Sequence, residues 1–221
     1  MKPSAVRRWQ ERLRFVQAIV RKPKQTGALS PSSRSLARAV VAPLAGHRGA
    51  TVVELGAGAG ALTSDILERI GPEGRLISLE VDPDLAGYLR RWNPEAEVWE
   101  ADAADLTEVL EKAGVQEVRA IVSALPWSLL PPDKQRLILE QTRAALAPDG
   151  TFVSITTVTA GMTSAGRLFP TLLPEFFTRT SRRFVPGNLP PAYVNIGHRP
   201  IGPSTNGAAA EHPQAHPDAL P

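Results

Sequence analysis

An acidic residue, Glu54, stands two positions ahead of the first of three glycines, Gly56, Gly58 and Gly60, in the run VVELGAGAG. Glycines at this density let a backbone turn sharply and let a ligand approach main-chain N–H groups. Loops that hold a pyrophosphate space their glycines by two and then three, and set the ligand on a helix N-terminus. Here both spacings are two, and a carboxylate directly before them repels phosphate and attracts a cation. The loop therefore suits a ligand with an ammonium or sulfonium group. Glu80, twenty residues after Gly60, lies where a carboxylate can accept both hydroxyls of a ribose. Asp102, in EADAADL, could accept from an adenine amino group. Asp82 before Pro83 and Asp105 before Leu106 read instead as helix caps or solvated loop charges.

These residues need a scaffold that brings strand ends together, and the pattern from Ala50 onward supplies one. TVVELG reads as a strand, ALTSDILERI as a helix, GRLISLEVD as a strand and PDLAGYLRRW as a helix. AEVWEADAADL, VRAIVSALP and GTFVSITTV give three more strands, separated by helices over TEVLEKAG and PPDKQRLILEQTRAALAPDG. Such alternation predicts an α/β fold, a parallel sheet with helices on both faces and ligands at the carboxyl ends of its strands. Beyond Thr159 the regularity weakens. FFTRTSRRFVPG predicts antiparallel strand, and NLPPAYV a Pro-rich loop leading into an edge strand.

The 221 residues bound one well-buried domain with appendages. The absence of cysteine excludes a thiol nucleophile, disulfides and thiolate metal sites, and the four histidines do not cluster, so no metal is expected. Residues 1 to 24 hold eight basic side chains against Glu11 alone, a local charge of +7 in a chain of net +3, which leaves −4 for the remainder. Val6, Trp9, Leu13, Val16 and Val20 recur in steps of three and four opposite most of the arginines, predicting a basic amphipathic helix that ends before Pro23. Its apolar face suits either the chain's own core or an anionic membrane interface. A second helix is expected over about residues 32 to 45, capped from SPSS. The Pro- and Ala-rich residues 201 to 221 predict a disordered tail. No apolar run is long enough to span a bilayer, so the expected location is cytoplasmic.

The run ELGAGAG resembles motif I of the class I S-adenosylmethionine-dependent methyltransferases, over about Ala50 to Val158. The resemblance implies their Rossmann-like fold, and a cofactor site drawn from Glu54, Gly56, Ala57, Gly58, Gly60, Glu80, Val81, Asp102, Ala103 and Ser123. Gly27 and Ser32, upstream, are implied to lie over the cofactor. SALPW after the fourth strand is similar to the Asn-Leu-Pro-Tyr turn of rRNA adenine dimethylases, with Ala124 in place of Asn and Trp127 in place of Tyr. The carbonyl of Leu125 and the ring of Trp127 are thereby implied to meet the acceptor, although LPW alone also fits a structural turn with a packed Trp.

RKPKQTGALSPSSRSLARA, SALPWSLLP and FVPGNLPPAYV together resemble the small bacterial phosphatidylethanolamine N-methyltransferases, extending the similarity from about Phe15 to Val194. This resemblance implies successive methylation of the phosphatidylethanolamine headgroup to phosphatidylcholine at the inner face of the cytoplasmic membrane, with no nucleic acid partner. Residues 1–24 would bind the membrane, with Trp9, Leu13, Val16 and Val20 entering it and Arg8 and Arg12 meeting anionic lipid, each basic residue contributing ~1 kcal/mol. Residues 25–200 would form the methyltransferase domain. Tyr193 is the side-chain candidate to orient the amine or take its proton. Arg34, Arg167, Arg182 and Arg183 are candidates for the lipid phosphate. After PPAYV the chain departs from the aromatic, basic pattern of that family, so a short last strand is expected. Competing readings are an RNA adenine dimethylase, a methyltransferase of another lipid such as an ornithine lipid or a quinone precursor, and a non-catalytic membrane-binding protein.

Overall fold

The computed structural model describes residues 33–202. The basic N-terminal segment, Gly27, Ser32 and the tail beyond residue 202 lie outside the described residues. Seven strands form one sheet: β1 (Thr51–Leu55), β2 (Arg75–Glu80), β3 (Glu97–Glu100), β4 (Val118–Ser123), β5 (Leu146–Thr157), β6 (Phe177–Val185) and β7 (Ala192–Pro200). Their order is β3-β2-β1-β4-β5-β7-β6. The first five run parallel, while β7 pairs antiparallel with both β5 and β6.

Among the described residues, six helices pack on the sheet: α1 (Arg34–Val41), α2 (Thr63–Ile70), α3 (Pro83–Trp92), α4 (Leu106–Lys112), α5 (Pro132–Ala145) and α6 (Ser164–Phe176). Because successive strand residues point to opposite faces, the apolar runs divide between two cores. Val53, Ile77, Ile121 and Phe152 face Trp127, Phe169 and Phe176, while Val52, Leu76, Val122 and Val153 face Leu36, Val40, Leu62 and Ile66. Caps stop the helices where the residues dictate. Ser33 accepts from Leu36 N–H, and Asp82 accepts from Asp84 and Leu85 N–H ahead of Pro83 in the first turn of α3. Asp105 holds the N-cap position of α4, but its side chain makes no capping bond.

The structure corrects the expectations for the C-terminal third. α6 was not anticipated, because Pro170 and Pro174 inside it hide an apolar stripe of Phe169, Leu172, Leu173 and Phe176 at helical spacing. β7 is neither an edge strand nor short. It continues through NIGHRP to Pro200 between β5 and β6, and β6 forms the edge. Val194 and Ala192 are fully buried there, so packing from both sides replaces the expected edge position.

Candidate active site

Strand order reverses between β1 and β4, and the crevice at their carboxyl ends is where an open α/β sheet binds ligands. Leu55 and Ser123 are paired as the last residues of these strands, so the loops that follow them lie side by side. Gly56, Gly58 and Gly60 all adopt positive φ, 71°, 57° and 86°. A Cβ on Gly56 would fall 2.8 Å from Leu125 Cδ2, so this glycine lets the two loops touch.

The N–H groups of the glycine loop are already engaged. Those of Gly56 and Ala57 donate to Leu79 O, that of Gly60 to Ala57 O, and that of Gly58 to Glu80 Oε2 at 2.8 Å. A pyrophosphate would find none of these donors free, in agreement with the spacing argument against a dinucleotide. Instead the loop is braced on a carboxylate. Glu80 Oε1 also accepts from Asp82 N–H at 2.9 Å, so one carboxylate ties the glycine loop to the start of α3. Burial, opposed by its backbone hydrogen bonds, raises the Glu80 pKa.

Glu54 is 1 % exposed. Its Oε2 accepts from Thr63 Oγ1 at 2.8 Å and Ser78 Oγ at 2.9 Å, and no cationic side chain among the described residues forms an ion pair with it. Burial pushes its pKa up to about 7, against the lowering effect of the two hydroxyls and with a smaller raising effect from Glu80. Two adjacent buried carboxylates, both held against their ionised form, make a place where a cationic ligand relieves a standing cost. Val81 beside them is 46 % exposed, an apolar surface at a strand end. Asp102 caps the turn at residues 103–105 through Ala104 N–H and pairs with Lys134 of α5. Ala103, the first residue of that turn, is buried. These residues fit S-adenosylmethionine, which brings an ammonium, a ribose diol and an adenine.

The loop after β4 carries a correction. Trp127 does not stand in the crevice as a wall for an acceptor. It is 1 % exposed, stacked on Phe169 with ring centroids 4.0 Å apart, and set edge-on to Phe152. The aromatic belongs to the core, and the turn is the packed structural one. Leu125 O accepts from Trp127 N–H at 2.9 Å, which leaves one carbonyl lone pair for another donor. Ser123 is fully buried at the end of β4, its hydroxyl 3.4 Å from Leu125 N.

One residue that sequence reasoning missed holds this loop in place. Gln135 of α5, wholly buried, points its Nε2 at the carbonyls of Trp127, Leu130 and Ala165, at 2.8, 3.1 and 3.0 Å. The signal for it was a lone amide on the apolar stripe that continues through Ile138, Leu139 and Thr142.

Of the four arginine candidates, Arg167 and Arg182 line one cavity, and Arg34 and Arg183 lie apart from it. Tyr193 is half-buried opposite Thr156, and the Arg182 guanidinium lies over its ring at 3.5 Å. Arg183 pairs with Val194, so alternation turns it to the other face of the sheet. Arg34 lines a separate cleft between α1 and α2 together with Arg38, Arg48, Arg69, Asp65 and Glu68, where the two acids offset half of the cationic charge.

Among the described residues, no group of three or more His, Asp or Glu is placed to hold a metal, and no helix is long and apolar enough to cross a membrane.

A protein-family profile described as "Methyltransferase domain" matches residues 52–150. An ornithine lipid N-methyltransferase of Singulisphaera acidiphila is 38 % identical over 168 residues, 75 % of this chain and 84 % of that protein. A ribosomal RNA small subunit methyltransferase A of a Burkholderia species is 36 % identical over 95 residues, but the match spans 42 % of this chain and 34 % of that protein. Among solved structures, the 1,6-didemethyltoxoflavin-N1-methyltransferase of Burkholderia thailandensis, with its acceptor and S-adenosylhomocysteine bound, superposes with a TM-score of 0.62 at 20 % identity, covering 90 % of this chain and 92 % of that one. The identity to the ornithine lipid enzyme runs well beyond the cofactor half of the chain, and the fold and crevice agree with it: this chain belongs to the class I S-adenosylmethionine-dependent methyltransferases.

Proposed function

We propose that this enzyme transfers a methyl group from S-adenosylmethionine to the amine of a membrane-lipid headgroup. The observation that carries this reading is the similarity to an ornithine lipid N-methyltransferase across 84 % of that protein's length, whereas the RNA methyltransferase matches cover far less. It supports an aminolipid acceptor, either an ornithine lipid or the phosphatidylethanolamine expected from the loop motifs.

The cofactor supplies an electrophilic methyl on a sulfonium. The chain must place a neutral amine in line with it, because an ammonium has no lone pair. We assign the amine to the crevice beside the glycine loop, its N–H directed to the open lone pair of Leu125 O, with Tyr193 orienting it from β7. Positioning and exclusion of water contribute more here than a strong base. Glu54 and Glu80 hold the ammonium and ribose ends of the cofactor, Val81 and Ala103 flank the adenine, and Asp102 accepts from its amino group. The basic N-terminal segment brings the enzyme to anionic lipid, and Gly27 and Ser32 are assigned to cofactor binding.

Methyl transfer from labelled S-adenosylmethionine tests the reading. Vesicles containing phosphatidylethanolamine, vesicles containing ornithine lipid, and ribosomal RNA serve as acceptors. Label is expected in one or both lipids and is expected to increase with added anionic lipid. Label in RNA alone would sink the proposal.

The state of Glu54 gives a second test. Its raised pKa means that the ligand-free chain keeps the carboxyl largely protonated below pH 7, while a bound cation requires it ionised. Cofactor binding should therefore release close to one proton at pH 6, and affinity should rise roughly tenfold between pH 6 and pH 7.5. Calorimetry in buffers of different ionisation enthalpy reads both quantities. Glu54→Gln should bind more weakly and lose this dependence, keeping only that of the ligand's own amine. An unchanged pH profile in the variant would show that Glu54 does not face the cation.

A further inference from the structure

We infer that the cavity between α6 and the β5–β7–β6 edge is the subsite for the anionic group of the lipid headgroup, with Arg182 and Arg167 as its ligands. This deepens the proposed function and rests on it. The cavity, about 200 Å³, opens at the carboxyl end of β5 and is lined by Thr156, Thr157, Gly161, Arg167 and Arg182, with Val158 at its rim. None of its lining residues is acidic, whereas in the arginine cleft around Arg34 the carboxylates of Asp65 and Glu68 stand among the guanidinium groups and compete for them.

Both guanidinium groups are held in place by one contact and retain further donors. Arg167, in the first turn of α6, donates from Nη1 to Gly161 O at 3.0 Å. Arg182 lies over the Tyr193 ring, which occupies its face and leaves its N–H edge available. Thr156 and Thr157 add hydroxyls, and Asn195 orients the first by donating to Thr156 Oγ1 at 3.1 Å. An oxyanion with several acceptor oxygens matches this set of forks and hydroxyls.

The position of the cavity links it to the transfer site. Ser128 of the post-β4 loop accepts from Thr163 Oγ1, the residue that caps α6, so the cavity wall and the acceptor loop are joined. On the other side, Tyr193 is shared between the cavity, through Arg182, and the amine. A substrate bearing an anion on a short tether from its amine would bridge the two. Of the lining, Val158 gives an apolar rim that is 38 % exposed, and Met162, next in sequence to the lining Gly161, is 80 % exposed. Such a rim suits an anion carried by a lipid, whose chains leave the cavity over it, better than a free ion. Phosphodiester and α-carboxylate share the chemistry that the arginines read.

The test compares the full chain with Arg167→Gln, Arg182→Gln and Arg182→Lys, in methyl transfer to phosphatidylethanolamine and to ornithine lipid vesicles of fixed anionic content. Arg179→Gln, which removes a charge from the same strand but on the opposite face, controls for loss of membrane attraction. Glutamine at either site should raise KM for the lipid roughly tenfold with a much smaller change in kcat. Lysine should restore part of the loss, and Arg179→Gln should leave KM within twofold. Calorimetric titration with soluble glycerophosphoethanolamine and with Nα-acetylornithine reads the same subsite without turnover. Saturable binding that both glutamine variants weaken supports the assignment and identifies which anion is preferred, and inorganic phosphate should bind more weakly than either. Lipid methylation by all variants with unchanged KM and unchanged titrations would overturn the subsite while leaving the lipid reading intact. Failure of the wild type to methylate any lipid would overturn the lipid reading, and the subsite with it.

Discussion

Glu80→Ala should lower affinity for S-adenosylmethionine by about a hundredfold or more while shifting the melting temperature of the ligand-free protein by only a few degrees. The asymmetry follows from what Glu80 does in each state. In the ligand-free chain its carboxylate accepts from Gly58 and Asp82 N–H, and each bond to a charged group contributes ~1.5–3 kcal/mol. Yet the side chain is 4 % exposed, and its raised pKa shows that burial outweighs those bonds for the ionised form. Removing it therefore relieves a desolvation cost as it frees backbone N–H groups, and the two effects offset one another. In the complex nothing offsets the loss. The ribose hydroxyls lose their acceptor, and the glycine loop, with three residues at positive φ, loses the brace that holds it open. Glu80→Gln is no rescue, because the amide turns an NH2 toward one of the two backbone donors. Isothermal titration and thermal melts on the same samples read the two numbers. A change in Kd below about threefold would remove Glu80 from the ligand site.

The part of this site that was legible in the sequence is the part that strand ends determine. Glu54, the glycines, Glu80 and Asp102 each lie at or just past the end of a strand whose apolar pattern locates it, and a parallel sheet brings such ends together whatever the details of packing. α3 is equally legible: Asp82-Pro83 begins it and the stripe through Leu85, Ala86 and Leu89 carries it to Trp92. What was not legible depends on which side of a turn the tertiary packing takes. Nothing local in SALPW says whether the indole points to the crevice or to the core, and nothing local joins Gln135 to carbonyls from two different elements. α6 was hidden for another reason. Two prolines four residues apart remove donors from one side of the helix, while the apolar stripe that holds it to the sheet remains intact. In β7, the strand expected to be short runs on through Gly197, where a Cβ would fall 2.5 Å from the Phe177 ring. The glycine there makes room for a core aromatic and does not end the strand.

Trp127→Ala should destabilise the protein by ~3–5 kcal/mol, as a buried Trp truncated to Ala leaves a large cavity. At roughly 2–4 °C per kcal/mol for a domain of this size, the melting temperature should fall by about 10 °C. Trp127→Phe should cost far less. Phenylalanine keeps the stack on Phe169 and the edge contact with Phe152, and it removes an indole Nε1–H that has no hydrogen-bond partner among the described residues. The functional readout distinguishes a core residue from a recognition residue. If the ring touches only Phe169, Phe152 and their neighbours, Trp127→Phe should leave the acceptor KM unchanged, and Trp127→Ala assayed well below its melting point should lower kcat more than it raises KM. That pattern is expected because the damage travels through the backbone of the loop, where Leu125 O must keep its direction. A rise in KM of tenfold or more in Trp127→Phe, with melting unaffected, would mean that the indole leaves the core to meet the acceptor. The packing against Phe169 argues otherwise, since an outward swing would open the space that Trp127 now fills between α6 and β5.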